Sequence, residues 1–174
     1  MNEFKPIIDS LIRVVYYQGN GLPDLVVRYW PKLRQKPEDR YSHVAVIRNA
    51  EKIESEPGKG VQLINWNEMT CICTADVYEI RDLTAGESEA GWAWLNTQVG
   101  RKYDWQGIIG YASQTFGQDP DRWFCSELVE QMSENIGRKL IPGLRPNEIN
   151  PQMQSHSDRL LMIGSFMTVM ELKR

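Results

Sequence analysis

Residues 41–66 read YSHVAVIRNAEKIESEPGKGVQLINW, and this stretch decides the fold. Polar and apolar residues alternate with a period of two from Tyr41-Ser42-His43-Val44 onward, the pattern of a half-buried strand. Asn49-Ala50 supplies a turn, 51–55 a returning strand, and Pro57-Gly58-Lys59-Gly60 a break before a third strand over 61–66. A fourth strand is expected over about 71–80. The reading is a four-stranded antiparallel meander joined by short turns.

Upstream, residues 11–17 (LIRVVYY) form a β-branched and aromatic run closed by Gln18-Gly19-Asn20-Gly21, which predicts another strand. A short helix is expected over 25–33, limited by Pro31, and 32–40 reads as a basic, solvated connector. Downstream the period becomes helical. Helices are expected over 87–99, ended by Gly100, and over 105–116. The cleanest pattern places Cys125, Leu128, Val129, Met132 and Ile136 on one face, with Gly137 behind them as a helix stop. A turn-rich tail over 146–151 leads to a last strand within 160–172. The expected fold class is α+β, with an antiparallel sheet packed against helices in a single domain over 1–174.

Composition narrows the function. The chain has 174 residues, of which 41% are hydrophobic and 25% charged, so one sizeable core can be buried. Lys and Arg number 20 against 23 Asp and Glu, a balance that argues against a nucleic-acid partner. Mean hydropathy is −0.47, and no apolar run approaches the ~18 residues of a membrane span. The first residues, MNEFKPIIDSLIRVV, lack the long apolar segment of a secretory signal, so a cytoplasmic address is expected, with an envelope or phage-associated site as the alternative. Three cysteines exclude a disulfide scaffold and fit a reducing compartment.

Cys125 opens a predicted helix, where free backbone N–H groups and the helix dipole favour a thiolate and can also hold an oxyanion. The plain alternative is a small residue that merely packs. The chain holds two histidines. His43 lies on a strand, whereas His156 lies in a polar stretch and reads as solvated; His43 is therefore the ordered candidate base. A third group is needed to orient an imidazole. With Asn49-Ala50 at the turn, position 43 faces about position 56, so Glu56 is directly opposite and Glu54 is its diagonal neighbour on the same face. Both stay open. Cys71 and Cys73 form a C-x-C with too few partners for zinc, and no phosphate loop or nucleotide fingerprint is present, so no metal or cofactor is expected. Tyr103-Asp104, in a predicted polar turn between helices, is the pair expected to wall a cleft beside Cys125.

With these residues in view, the sequence resembles the circularly permuted NlpC/P60 hydrolases of the YiiX/YebB-like group, relatives of papain-like cysteine enzymes. The matching segments are Tyr41-Ser42-His43-Val44-Ala45-Val46 and Ile53-Glu54-Ser55-Glu56-Pro57-Gly58-Lys59-Gly60-Val61. They continue with Gly100-Arg101-Lys102-Tyr103-Asp104-Trp105-Gln106-Gly107, Trp123-Phe124-Cys125-Ser126-Glu127-Leu128-Val129 and Arg145-Pro146-Asn147-Glu148-Ile149. The resemblance implies a papain-like fold, Cys125 as nucleophile and His43 as base. It prefers Glu54 as the orienting residue, because the family's hairpin ends in a similar Ile-Glu before a small residue. It also counts Ser126 with Tyr103 and Asp104 among substrate contacts. The expected activity is cleavage of an amide, in peptides such as those derived from peptidoglycan, or of an ester. Alternatives are a lipid acyltransferase or thioesterase on the same scaffold and a non-enzymatic interaction module. Two departures stand beside the match: no export or lipid-attachment signal is visible, and residues 1–40 match poorly.

Overall fold

The computed structural model describes residues 11–18, 40–65, 73–104 and 121–168. Its centre is a six-stranded antiparallel sheet built from β1 (Arg13–Gln18), β2 (Tyr41–Arg48), β3 (Glu51–Glu56), β4 (Gly60–Asn65), β5 (Cys73–Ile80) and β8 (Leu160–Thr168). Helix α1 (Ala85–Gln98), helix α2 (Cys125–Asn135) and the short α3 (Pro151–Ser155) complete the α+β architecture. A small parallel pair, β6 (Lys102–Tyr103) and β7 (Arg122–Trp123), leads into α2. The helix expected over 25–33 and the one over 105–116 lie outside the described residues.

The strand order is β4-β3-β2-β1-β5-β8, which corrects the expected meander. Strands β2, β3 and β4 follow one another as read, but β5 crosses over to pair with β1 instead of β4. Burial gives the reason. Residues 12–17 are all buried, so β1 needs a neighbour on each side and cover on both faces. From Val61 to Asn65 buried or half-buried positions give way to exposed ones, as suits a strand at the sheet edge.

Local chemistry sets the element ends. Asn49 adopts φ 53° in the β2–β3 turn, a left-handed conformation that asparagine tolerates. Helix α1 starts two residues before the periodicity suggested, because Thr84 and Glu87 form a capping box: Glu87 N–H donates to Thr84 Oγ1 and Thr84 N–H to Glu87 Oε2. Gly60 has φ 78°, and a Cβ there would stand 2.2 Å from the Arg101 carbonyl oxygen. That close approach lets Val61 N–H donate to Arg101 O and Gly100 N–H to Val61 O, fastening β4 to the chain that becomes β6.

The main core lies between one sheet face and the helices. Cys125, Leu128, Val129 and Met132 of α2 pack with Val14, Tyr16, Val44, Val46 and Ile53. Burial of side chains such as Leu128 and Met132 contributes about 1.5–3 kcal/mol each. Val15, Tyr17, Ala45, Ile47, Ala75 and Val77 form a second buried cluster on the other face, as period-two alternation requires. Asp76 is buried in β5 and ties the start of β2 to the sheet: it accepts from Tyr41 Oη, Ser165 Oγ and Gln18 Nε2, and pairs with Arg40 at 3.1 Å.

Candidate active site

Cys125 occupies the first position of α2, as its spacing predicts, with Phe124 in extended conformation before it. Leu128 N–H is the first to bond back into the helix, to Phe124 O at 3.0 Å. The amides of Cys125, Ser126 and Glu127 therefore have no carbonyl one turn earlier within the helix, and they concentrate the positive end of the dipole beside the sulfur.

His43 lies on β2 opposite Tyr17 of β1, and the two rings stand 5.5 Å apart. The register between β1 and β2 shifts at Tyr17/Gln18, where Tyr41 pairs with Gln18 and Ser42 is left over. This irregularity lets Tyr41 join the helix-side core while His43 stays beside Tyr17. The His43 imidazole bonds Glu54 through Nε2, at 2.7 Å to Oε2, and lies near enough to Cys125 for the sulfur to act on its basicity. All three groups are buried.

The two carboxylates left open by the sequence part company here. Pairing of β2 with β3 runs over Val46–Ile53, Ile47–Lys52 and Arg48–Glu51. Glu54 turns to His43, while Glu56 turns to Lys59 Nζ at 2.9 Å and Gln62 Nε2 at 3.0 Å in the next hairpin. Ser55, between them, donates to the Trp123 carbonyl at 2.6 Å. That buried bond fastens the strand carrying Glu54 to the segment that delivers Cys125, and it holds elements distant in sequence at one place.

Burial alone would make His43 less basic. The charge and hydrogen bond of Cys125, followed by those of Glu54, outweigh it and carry the imidazole up to about 10. For Glu54, burial pushes the carboxyl up, but the bond and charge of His43 and then of Lys52 bring it down to about 2. The arrangement favours a charged imidazolium beside an ionised Glu54.

The chain matches no known protein family and no curated protein.

Other sequence-predicted residues take different positions. Tyr103 lies in β6 opposite Trp123, buried against Phe124, and not in an open polar turn. Its hydroxyl is made less acidic by burial and then by Cys125, Asp104 and Glu127. Asp104 is fully buried, and its N–H donates to Trp123 O. Ser126 is fully buried too, with Oγ donating to the Ile149 carbonyl at 2.6 Å, so its hydroxyl braces α2 against the tail. His156 is exposed at the end of α3 beside Gln152 and is not brought to the cluster. Cys71 lies outside the described residues, and Cys73 opens β5. Among the described residues no group of His, Cys, Asp and Glu is arranged to hold a metal ion, and no helix is long and apolar enough to cross a membrane.

Sequence reasoning missed Lys52. It lies buried two residues before Glu54, with Nζ 2.5 Å from Glu54 Oε1 and 5.5 Å from the Tyr17 ring centroid. The signal was available, since residues i and i+2 of a strand share a face.

Proposed function

We propose that the chain is a cysteine hydrolase that cleaves an amide or ester bond through an acyl-Cys125 intermediate, on a scaffold of the permuted NlpC/P60, papain-like kind. One observation carries the reading: Cys125, His43 and Glu54, from α2, β2 and β3, meet in a single buried cluster with the imidazole in the middle. Packing alone gives no reason to bury three ionisable groups in that order.

In the proposed reaction Cys125 Sγ attacks the substrate carbonyl carbon, and the N–H groups at the start of α2 stabilise the oxyanion. As the tetrahedral adduct collapses, the C–N or C–O bond breaks and His43 gives its proton to the departing amine or alcohol. Water then attacks the thioester, His43 takes the water proton, and the carboxylic acid leaves with the thiolate restored. Glu54 keeps the ring oriented through Nε2, leaving Nδ1 for the thiol. A peptide amide is the preferred substrate class, and a lipid acyl chain is the other.

The test is mass spectrometry of the full chain during turnover of a p-nitrophenyl ester, alongside iodoacetamide alkylation at pH 6.5. A transient acyl adduct on Cys125, lost in Cys125→Ser, together with alkylation at least tenfold slower in His43→Ala, supports the reading. Inert Cys125 in both assays, indifferent to His43→Ala, overturns it in favour of an interaction module. Transfer of the acyl group to an added amine or alcohol faster than to water would make the enzyme an acyltransferase.

A further inference from the structure

Lys52 has no part in the three-residue scheme, yet burying an ammonium is costly unless it is paired. Its side chain is as deeply buried as that of Glu54, and the two carboxylate oxygens of Glu54 are divided between two cations. Oε2 faces His43 Nε2 at 2.7 Å, and Oε1 faces Lys52 Nζ at 2.5 Å. Tyr17 lies against both, with its ring centroid 5.5 Å from the His43 ring and 5.5 Å from Lys52 Nζ.

We infer that Lys52 is a positioning residue of this site, holding the far oxygen of Glu54 so that the carboxylate stays ionised and its other oxygen stays aimed at His43. The inference rests on the hydrolase reading. With Lys52 present, each oxygen of the buried Glu54 carboxylate has its own cationic partner. Without it one buried oxygen would lose its counter-charge, which favours protonation of Glu54.

The groups around the carboxylate leave this task to Lys52. From β2 comes His43, from β1 the uncharged Tyr17, and Cys125 of α2 acts beyond His43. Gln62, opposite Glu54 on β4, donates its amide to Glu56. Lys59, in the β3–β4 turn, also acts on Glu54 through charge, but its ammonium is exposed and paired with Glu56. Lys52 is thus the buried ammonium in contact with Glu54 among the described residues.

The experiment is a 13C-carboxyl NMR titration of Glu54 in the full chain for wild type, Lys52→Met and Lys52→Arg, with circular dichroism to confirm folding. The Glu54 midpoint should rise by about one unit or more in Lys52→Met and return towards the wild-type value in Lys52→Arg, because the cation and not the side-chain volume sets it. Lys52→Gln replaces Lys52→Met if the latter does not fold. An unchanged midpoint in the neutral variant overturns the inference, as does a midpoint raised equally in Lys52→Arg. Alkylation of Cys125 at pH 6.5 in wild type and His43→Ala separates the two claims. A rate indifferent to His43→Ala sinks the hydrolase reading, whereas the Glu54 titration decides for Lys52 alone.

Discussion

The sheet buries two carboxylates, Glu54 on β3 and Asp76 on β5, and surrounds them differently. Asp76 is held by neutral donors, Tyr41, Ser165 and Gln18, and by Arg40, whose side chain is half exposed. Its partners come from several strands, so their effect is to tie the sheet together. Glu54 is held by two buried side chains that carry positive charge, His43 and Lys52, and through His43 it is linked to a thiol. Hydroxyl partners satisfy a buried carboxylate without involving a transferable proton near neutrality. An imidazole partner makes the same kind of burial a device for holding and moving one.

Cys125→Ser tests that contrast most strongly. It should lower ester or amide hydrolysis by at least about 10³-fold and abolish the covalent adduct, as read by steady-state kinetics and intact-mass analysis. Glu54→Gln comes next. Turnover should fall about 10²-fold or more, and urea unfolding should show a loss of about 3 kcal/mol, because Lys52 is left buried without its counter-charge. Asp76→Asn sharpens the comparison by affecting stability alone. It should cost about 1–3 kcal/mol in the same urea assay while the Cys125 alkylation rate stays at the wild-type value.

The pH dependence of stability follows from the same cluster. Glu54 is depressed from 4.5 to about 2, so its contribution is complete above about pH 4.5 and is lost as pH falls through 2. His43 is raised from 6.5 to about 10, so its contribution is complete below about pH 6.5 and disappears as pH rises through 10. Thermal melts should accordingly show a plateau between these limits, and Cys125→Ala should move the His43 midpoint down in a 15N-imidazole NMR titration. The smallest effect is expected from Glu56→Gln. Its partners are the exposed Lys59 and the neighbouring Gln62, so stability should change by about 0.5 kcal/mol or less and turnover should not change.

The contrast between Glu54 and Glu56 shows how far the sequence reached. Hairpin parity put both on the His43 side, because side chains alternate along a strand. It could not choose between them, since the choice depends on where β2 and β3 stop pairing and on how Ser55 clasps the Trp123 carbonyl. The β2–β3–β4 run and the apolar stripe of α2 were equally legible, because each is set by a local period and a local stop such as Asn49, Gly60 or Gly137. The placement of β5 beside β1 was not. Chain order favours neighbouring strands, and only the burial of β1 on both faces demands the crossover.

By itself, then, the sequence determined the elements, their apolar faces and the residue types able to do thiol chemistry, because these depend on spacing within a few residues. The tertiary structure decided which of those residues meet. It brought His43, Glu54 and Cys125 together from three elements, turned the Ser126 hydroxyl to the Ile149 carbonyl, and added Lys52 beside Glu54. Such meetings are set by long-range pairing and burial, where electrostatic attraction in a low-dielectric interior selects partners that no local pattern in the chain can specify.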